Sequence, residues 1–176
     1  MARPQNRWPS TQRCTTAEYR QVANILQLSA VPVLLVPGDN EWNDCPNPNQ
    51  AWNIWLNVFE AFEGKHWKND TRFGTLVRMP DRPETFSFIH QGALFVGLNL
   101  VGGQVLNEGE WSTRLTDQVE WVKDLMRQHG NTPTVVFGHA NPVNNHDDFF
   151  VPLRDFVQDE LQNSVPLMYI NGDKHR

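Results

Sequence analysis

Three apolar, β-prone runs in this chain each end in a glycine, and a potential metal ligand follows each glycine. The runs are LLVPGD, VVFGH and MYINGDKH, and the ligands are Asp39, His139, Asp173 and His175. In α/β sheets the loops that follow the strands converge at one edge of the sheet, where ligands bind. A glycine at such an end lets the backbone turn sharply. The pattern therefore predicts one site built from residues that are distant in sequence.

Helical and strand patterns alternate between these ends. Thr15 with Glu18 forms a capping-box pattern for a helix that ends near Ser29. Residues 33–36 form a continuous apolar run, which is typical of a strand covered on both faces. Runs 85–90 and 93–101, joined by Gln91-Gly92, predict a hairpin.

Further helices and strands complete the pattern. Helical spacing predicts helices over 52–62 and around 115–126, the latter capped by Ser112 or Thr113, and a short helix over 152–162. Strands are predicted over 134–137 and 166–170. The fold class is α/β, with a mixed β-sheet flanked by helices, because the hairpin makes the sheet partly antiparallel.

Composition excludes several classes of protein. The chain has 176 residues, 39% of them hydrophobic, and a net charge of −5. The negative charge argues against a nucleic-acid surface, where a basic field is expected. No apolar run is long enough to span a membrane, and the basic N-terminus has no signal-peptide core. Localisation stays open: Cys14 and Cys45 fit a disulfide or two thiols, and with the Asn69 sequon they permit a secreted protein.

The predicted site has metal-site chemistry. Mixed carboxylate and imidazole ligands suit divalent ions such as Mn, Fe or Zn. Bridged metals of this kind activate water and stabilise in-line displacement at phosphorus. A single Gly-His or Gly-Asp after a strand is more often structural, so the prediction depends on three such ends occurring in one chain.

The order of these motifs resembles the C-terminal half of a calcineurin-like metallophosphoesterase. Gly38-Asp39-Asn40-Glu41 falls at the family's G-N-H-[DE], Gly138-His139 at its lone histidine, and Gly172-Asp173-Lys174-His175 at its G-H-x-H. The pattern PGDNEW-x-DC followed by GD-x-H resembles one branch of that superfamily. The match covers roughly Cys14 to Arg176.

The resemblance implies roles for these residues. Asp39, His139 and Asp173 would bind one metal, and His175 would reach a second. Asp39 and Asp173 are carboxylates where the family has neutral ligands. At the site that they share with His139, which is the second site of the family, this favours Mn, Fe, Mg or Ca over Zn. Asn40 replaces a histidine that protonates the leaving group, and an amide cannot be a general acid near neutral pH. The candidate catalytic residues are Asn40, Glu41 and His139.

Other polar residues have a functional and a structural interpretation. Glu41 and Asp44 either orient the ligands or are solvated, and Asn141 either shapes the site or fixes a turn before proline. The structural interpretation is favoured for the remaining candidates. They are His90 as a strand residue, His146, Asp147 and Asp148 as a solvated loop, and Arg78 and Arg82 as partners of Asp81 or Glu84. Trp42 is different, because packing and a pocket wall are equally consistent with the sequence.

The resemblance implies a four-layer αββα sandwich that is incomplete at both termini. The family's D-x-H and G-D-x-x-D motifs are absent, so residues 1–176 form one partial domain, with 1–14 as a disordered or non-native lead-in. The chain is then a fragment of a longer protein, a half completed by another chain, or a degenerate relative; the first is favoured.

The predicted function is hydrolysis of a small phosphate ester by metal-activated water. The full-length protein is the expected enzyme, and the isolated chain, which needs the missing half or another chain, is expected to be weak or inactive. The alternative is a non-catalytic binding module that keeps the fold and at most one metal site.

Overall fold

A computed structural model describes residues 14–68, 70–72, 74–142 and 146–173. The helices are α1 (Thr16–Leu26), α2 (Pro48–Phe59), α3 (Phe62–His66), α4 (Glu108–His129) and α5 (Asp147–Asp155), and a π-helical turn (Phe156–Glu160) continues α5. The strands are β1 (Val77–Met79), β2 (Arg82–His90), β3 (Ala93–Gly97), β4 (Thr134–Gly138) and β5 (Leu167–Asn171). The predicted α/β class is confirmed.

The five strands form one mixed sheet in the order β1-β2-β3-β4-β5. The pairs β1–β2 and β2–β3 are antiparallel, and β3–β4 and β4–β5 are parallel. The predicted hairpin is present: Gln91 and Gly92, with φ of 48° and 79°, form the two-residue turn between β2 and β3. Helix α4 connects β3 to β4, and α5 connects β4 to β5. The carboxyl ends of β3, β4 and β5 consequently lie at the same edge of the sheet.

The main core lies between this sheet and helices α4 and α5. It combines strand residues such as Leu94, Val96 and Val136 with α4 residues such as Leu115 and Val119, all almost fully buried. The opposite face of the sheet carries a row of stacked rings, as expected from strand alternation. The row consists of Phe86, Phe88, Phe95 and Phe137.

Helices α1, α2 and α3 form a second apolar cluster. Tyr19 and Ala23 of α1 pack with Trp55 and Phe59 of α2 and with Phe62 of α3. The capping box at Thr15 and Glu18 is present, as the sequence predicts, although the helix ends at Leu26 rather than near Ser29.

The predicted strand over residues 33–36 is wrong. This segment joins none of the five strands of the sheet, and its side chains are half-buried rather than covered on both faces. Val33 and Leu35 pack against the α1–α3 cluster instead. The apolar composition of this segment therefore predicted that it is partly buried. It did not predict whether the segment pairs in a sheet, because pairing depends on distant neighbours.

Two helix starts also differ from the predicted ones. Helix α4 begins at Glu108 with Asn107 as its cap, because the Asn107 side chain accepts a hydrogen bond from the Glu110 N–H at 3.0 Å. The predicted caps Ser112 and Thr113 lie inside the helix. Helix α5 begins at Asp147, before the predicted start at residue 152. No helix in the described ranges combines the length and apolar character needed to cross a membrane.

Candidate metal centre

Three loops bring Asp39, His139 and Asp173 together. One potential ligand atom from each lies within 4.8 Å of the other two. The Nε2 atom of His139 lies 3.0 Å from Oδ1 of Asp39 and 3.8 Å from Oδ1 of Asp173. Ligands at right angles around an ion with bonds of about 2.1 Å lie about 3.0 Å apart. The spacing of these atoms is therefore compatible with one shared metal ion.

The ends of β4 and β5 position two of these side chains. His139 directly follows β4, and Asp173 lies two residues after β5. The carbonyl of His139 accepts hydrogen bonds from the N–H groups of Gly172 and Asp173 at 3.2 and 3.0 Å. These bonds continue the pairing of the two parallel strands into the site, so His139 and Asp173 are held by backbone rather than by flexible side chains.

Contacts of Leu100 and Gly138 position the His139 imidazole at the edge of the sheet. The N–H groups of His139 and Ala140 donate to the carbonyl of Leu100 at 3.0 and 2.8 Å. A Cβ atom at Gly138 would lie 2.9 Å from Cβ of Leu100 and 2.7 Å from the Tyr169 hydroxyl. A larger residue before His139 would therefore push the strand away from its neighbours.

A tight turn holds the Asp39 carboxylate. The carbonyl of Asp39 accepts from the N–H groups of Trp42 and Asp44 at 3.1 and 3.0 Å. The Glu41 carboxylate accepts from the Gly38 N–H at 2.8 Å. Glu41 thus lies beside the site and fixes the turn through a backbone contact.

A disulfide and a tyrosine tie the same turn to α1. Cys14 and Cys45 are joined by a disulfide, so of the two arrangements that the sequence allowed the structure has the bonded one. The Tyr19 hydroxyl of α1 donates to the carbonyl of Glu41 at 2.5 Å. The disulfide is consistent with a secreted protein.

A segment that the sequence did not single out, Gly102-Gly103, completes the site. Gly103 has a φ of +72°, and a Cβ atom there would lie 2.9 Å from Cβ of Asp39 and 2.8 Å from Oδ1 of Asp44. A Cβ atom at Gly102 would lie 3.3 Å from Oδ2 of Asp39. The signal available in the sequence was a pair of glycines directly after a buried apolar run.

The electrostatics of the site are governed by the Asp39–His139 pair. The hydrogen bond from His139 holds the pKa of the Asp39 carboxyl below its usual value, although burial opposes the effect. The same hydrogen bond, with the charges of Asp39, Glu41 and Asp173, raises the pKa of His139 against the effect of burial. Three carboxylates and one imidazole therefore share this small volume, which is short of positive charge.

Two amides approach the carboxylates. Asn40 Nδ2 donates to Oδ1 of Asp39 at 2.9 Å, and Asn141 Nδ2 donates to Oδ2 of Asp173 at 3.0 Å. Of the two interpretations of Asn141, its contact with Asp173 favours a role in shaping the site.

His175 lies outside the described residues, as does Asn69 of the sequon. Arg78 pairs with Glu63, and Arg82 pairs with Asp117 and Glu110, so the predicted partners Asp81 and Glu84 are wrong. His90 lies in β2, as predicted.

His146 is not part of a solvated loop, which corrects the prediction. It is 5% exposed, its Nε2 lies 2.7 Å from the carbonyl of Val101, and its ring packs on Trp111. Asp147 and Asp148 lie in the first turn of α5, where their negative charge interacts favourably with the positive end of the helix dipole.

Comparison with known proteins gives no relative. No protein-family model, curated protein or solved structure matches this chain.

Proposed function

We propose that Asp39, His139 and Asp173 bind a divalent metal ion and that the site hydrolyses a phosphate ester with metal-activated water. The observation that carries the proposal is the approach of these three side chains, from three separate loops, to within 4.8 Å of one another. A bound divalent ion would polarise a phosphoryl oxygen and lower the pKa of a water molecule.

The donor set favours particular ions. Two carboxylates and one imidazole suit Mn, Fe, Mg or Ca better than Zn, which takes more nitrogen and sulfur ligands in comparable sites. The His139 nitrogen favours Mn and Fe within that group. An ion here also offsets the negative charge that Asp39, Glu41 and Asp173 bring to one place.

The calcineurin-like resemblance supports the same proposal from the sequence. Its motifs end two of the parallel strands of the mixed sheet, where α/β proteins place their sites. The proposal accordingly includes the four-layer αββα fold and a small phosphate ester as substrate. In it, His175 supplies a ligand to a second metal ion.

The chain's own residues set limits on the reaction. Asn40 can donate a hydrogen bond to a phosphate oxygen, but it cannot protonate a leaving group. Glu41 holds the turn through the Gly38 N–H and takes no proton in this scheme. We therefore expect faster hydrolysis of esters with good leaving groups, such as p-nitrophenolate, than of alkyl esters.

The alternative is a binding module without turnover. The hydrogen bond from Asn40 to Asp39 favours this alternative. Asn40 stands where the family has its acid, and its side chain is already bonded to a proposed metal ligand. Mn²⁺ binding without hydrolysis of any phosphate ester would select this alternative.

The test is hydrolysis of bis(p-nitrophenyl) phosphate with Mn²⁺ by the full-length protein and by its His139→Ala variant. Loss of a ligand should reduce kcat/KM by more than about 100-fold, since even outer-shell changes cost about 10–100-fold. His129→Ala, at the end of α4, is the matched control and should leave the rate unchanged. Equal rates for His139→Ala and wild type, together with no bound metal, would refute the proposal.

A further inference from the structure

A cavity of about 400 Å³ lies beside the turn that carries Asp39. Its volume is within the usual range for small-molecule sites. Its walls come from that turn, from α2, and from the starts of β2 and α4. The lining residues that matter here are Trp42, Trp52, Asp81, Glu84, Asn99 and Arg114.

Glu84 is a buried carboxylate with unused hydrogen-bonding capacity. Glu84 is 4% exposed, and its Oε1 accepts a hydrogen bond from Nδ2 of Asn99 at 2.8 Å. Among the described residues, none donates a hydrogen bond to its Oε2. Oε2 is not among the buried unpaired atoms of the described residues, so it is open to the cavity and can accept a hydrogen bond there. A ligand hydroxyl in the cavity would supply one.

Arg114 brings the opposite charge to the same cavity. Arg114 is 1% exposed. Its Nε donates a hydrogen bond to Glu110 at 3.1 Å. Its Nη1 donates to the backbone oxygen of Asn99 at 3.1 Å and to the side-chain oxygen at 3.0 Å. Its guanidinium lies 4.8 Å from the ring centroids of both Trp42 and Trp111. Nη2 takes part in none of the hydrogen bonds within the described ranges. The cavity therefore offers a fixed donor and a fixed acceptor.

The cavity disfavours a flat aromatic ligand. One face of Trp42 stacks on Trp52 at 4.3 Å and Arg114 lies against the ring, while Trp52 also stacks on Trp55 at 5.3 Å. A nucleobase needs a free ring face for stacking, and these rings are already occupied by one another.

The charges also disfavour a phosphate in this cavity. Asp81, Glu84 and Glu110 bring carboxylates, and the guanidinium of Arg82 is already paired with Asp117 at 2.9 Å. A neutral group with many hydroxyls fits better, because each hydroxyl both donates and accepts. Sugars and cyclic polyols have this chemistry.

The cavity and the metal centre share two short segments. Asn43, in the cavity wall, donates from Nδ2 to the carbonyl of Gly102 at 2.9 Å, and Gly102 faces Asp39 on its other side. Trp42 is hydrogen-bonded through its N–H to the carbonyl of Asp39. A ligand in the cavity is thus adjacent to the metal centre.

From this arrangement we infer that the cavity binds a sugar or cyclic polyol, the hydroxyl-rich part of the phosphate ester. The link to the ester depends on the proposed function. Binding of the free hydroxylated group does not, since Glu84 and Arg114 need no metal.

The test uses the intrinsic fluorescence of the lining tryptophans. The protein, with EDTA present, is titrated with glucose, mannose, N-acetylglucosamine and myo-inositol, each to about 100 mM, which covers dissociation constants near 1 mM. At least one probe should give a saturable change. Glu84→Gln should weaken that binding about tenfold, the effect of losing one charge-assisted hydrogen bond. Glu120→Gln, on the exposed surface of α4, is the matched control and should bind as wild type does.

A second variant covers the case in which Glu84→Gln fails to fold. Asp81 has a φ of 62°, which asparagine tolerates, so Asp81→Asn keeps the backbone and removes one charge. It should weaken binding at least twofold. The inference is overturned if no probe gives a saturable change, or if the folded variants bind as wild type does. Sugar binding without Mn²⁺ binding would instead refute only the proposed function, and Mn²⁺-dependent hydrolysis without sugar binding only the inference.

Discussion

Two polar clusters beside the sheet differ in how their charges are balanced. The candidate metal centre (Asp39, His139 and Asp173) gathers carboxylates around a single imidazole. The α4 network, defined as Glu84, Asn99, Arg114 and Gln118, contains its own cation. Its bonds are largely internal: Gln118 Oε1 accepts from the Asn99 N–H at 2.7 Å, and Gln118 Nε2 donates to the Asn99 carbonyl at 3.1 Å.

The difference separates a cluster whose charges are balanced by its own residues from a cluster that is short of positive charge. Every member of the α4 network is at most 4% exposed, so it must balance its charges within the protein. The candidate metal centre lies at the edge of the sheet, where the side chain of Asp173 is 36% exposed and accessible to an ion. A cluster that lacks a cation yet is accessible is the one expected to bind a cation.

The largest expected effect is in the α4 network. Arg114→Ala removes a buried guanidinium that lies against Trp42 and Trp111 and takes away the donor to Oδ1 of Asn99, while the Asn99 carbonyl keeps its bond from Gln118. Breaking a buried charge network costs about 3–5 kcal/mol of unfolding free energy, measured by urea denaturation. Arg20→Ala, on the exposed face of α1, is the control and should change stability by less than about 0.5 kcal/mol. A cost for Arg114→Ala as small as the control would show that the network is not structural.

The metal centre should respond in the opposite way. Asp173→Asn removes one of several neighbouring carboxylates, so metal-free stability should change by less than about 1 kcal/mol. Mn²⁺ affinity should fall at least tenfold, because an amide is a weaker ligand for a divalent ion. Thermal melting with EDTA and with Mn²⁺ measures both effects. Large destabilisation with unchanged Mn²⁺ affinity would make Asp173 a structural residue.

The smallest expected effect is the pH dependence of metal-free stability. The pKa of His139 is raised in the folded state, so its contribution is complete below its unfolded pKa and is lost as the pH rises through the folded value. The pKa of Asp39 is lowered, so its contribution is present above its unfolded pKa and is lost as the pH falls through the folded value. The pair therefore stabilises most between about pH 4 and 6.5.

Thermal melting of wild type and His139→Gln with EDTA checks this dependence. The stability difference, of at most about 1 kcal/mol, should be larger at about pH 5.5 than at about pH 8.5. A difference that grows toward high pH would contradict the ion pair.

Sequence patterns predicted the features that depend on neighbouring residues. The capping box of α1, the β2–β3 turn, and strands β4 and β5 follow from local chemistry, and all are present. The approach of His139 and Asp173 followed from a single non-local rule, that parallel strands end at one edge. Asp39 also reaches this edge, but it does so from a turn that follows no strand of the sheet.

Features that depend on distant partners were not predictable in this way. Residues 33–36 have strand composition but no sheet partner among the described strands. His146 is buried by Trp111, and Arg114 is held between two tryptophans that are distant from each other in sequence. A single sequence gives the type of such a residue. It does not give the residue's neighbours, because the packing of α4 and α5 on the sheet sets them.

The most direct test of the cation site is calorimetric titration of Mn²⁺ into the wild-type protein and into Asp39→Asn. We expect saturable binding by wild type and at least tenfold weaker binding by the variant, because Asp39 is the least exposed of the three candidate ligands and accepts the His139 hydrogen bond. Identical isotherms for the two proteins, or no binding by wild type, would contradict a metal site here.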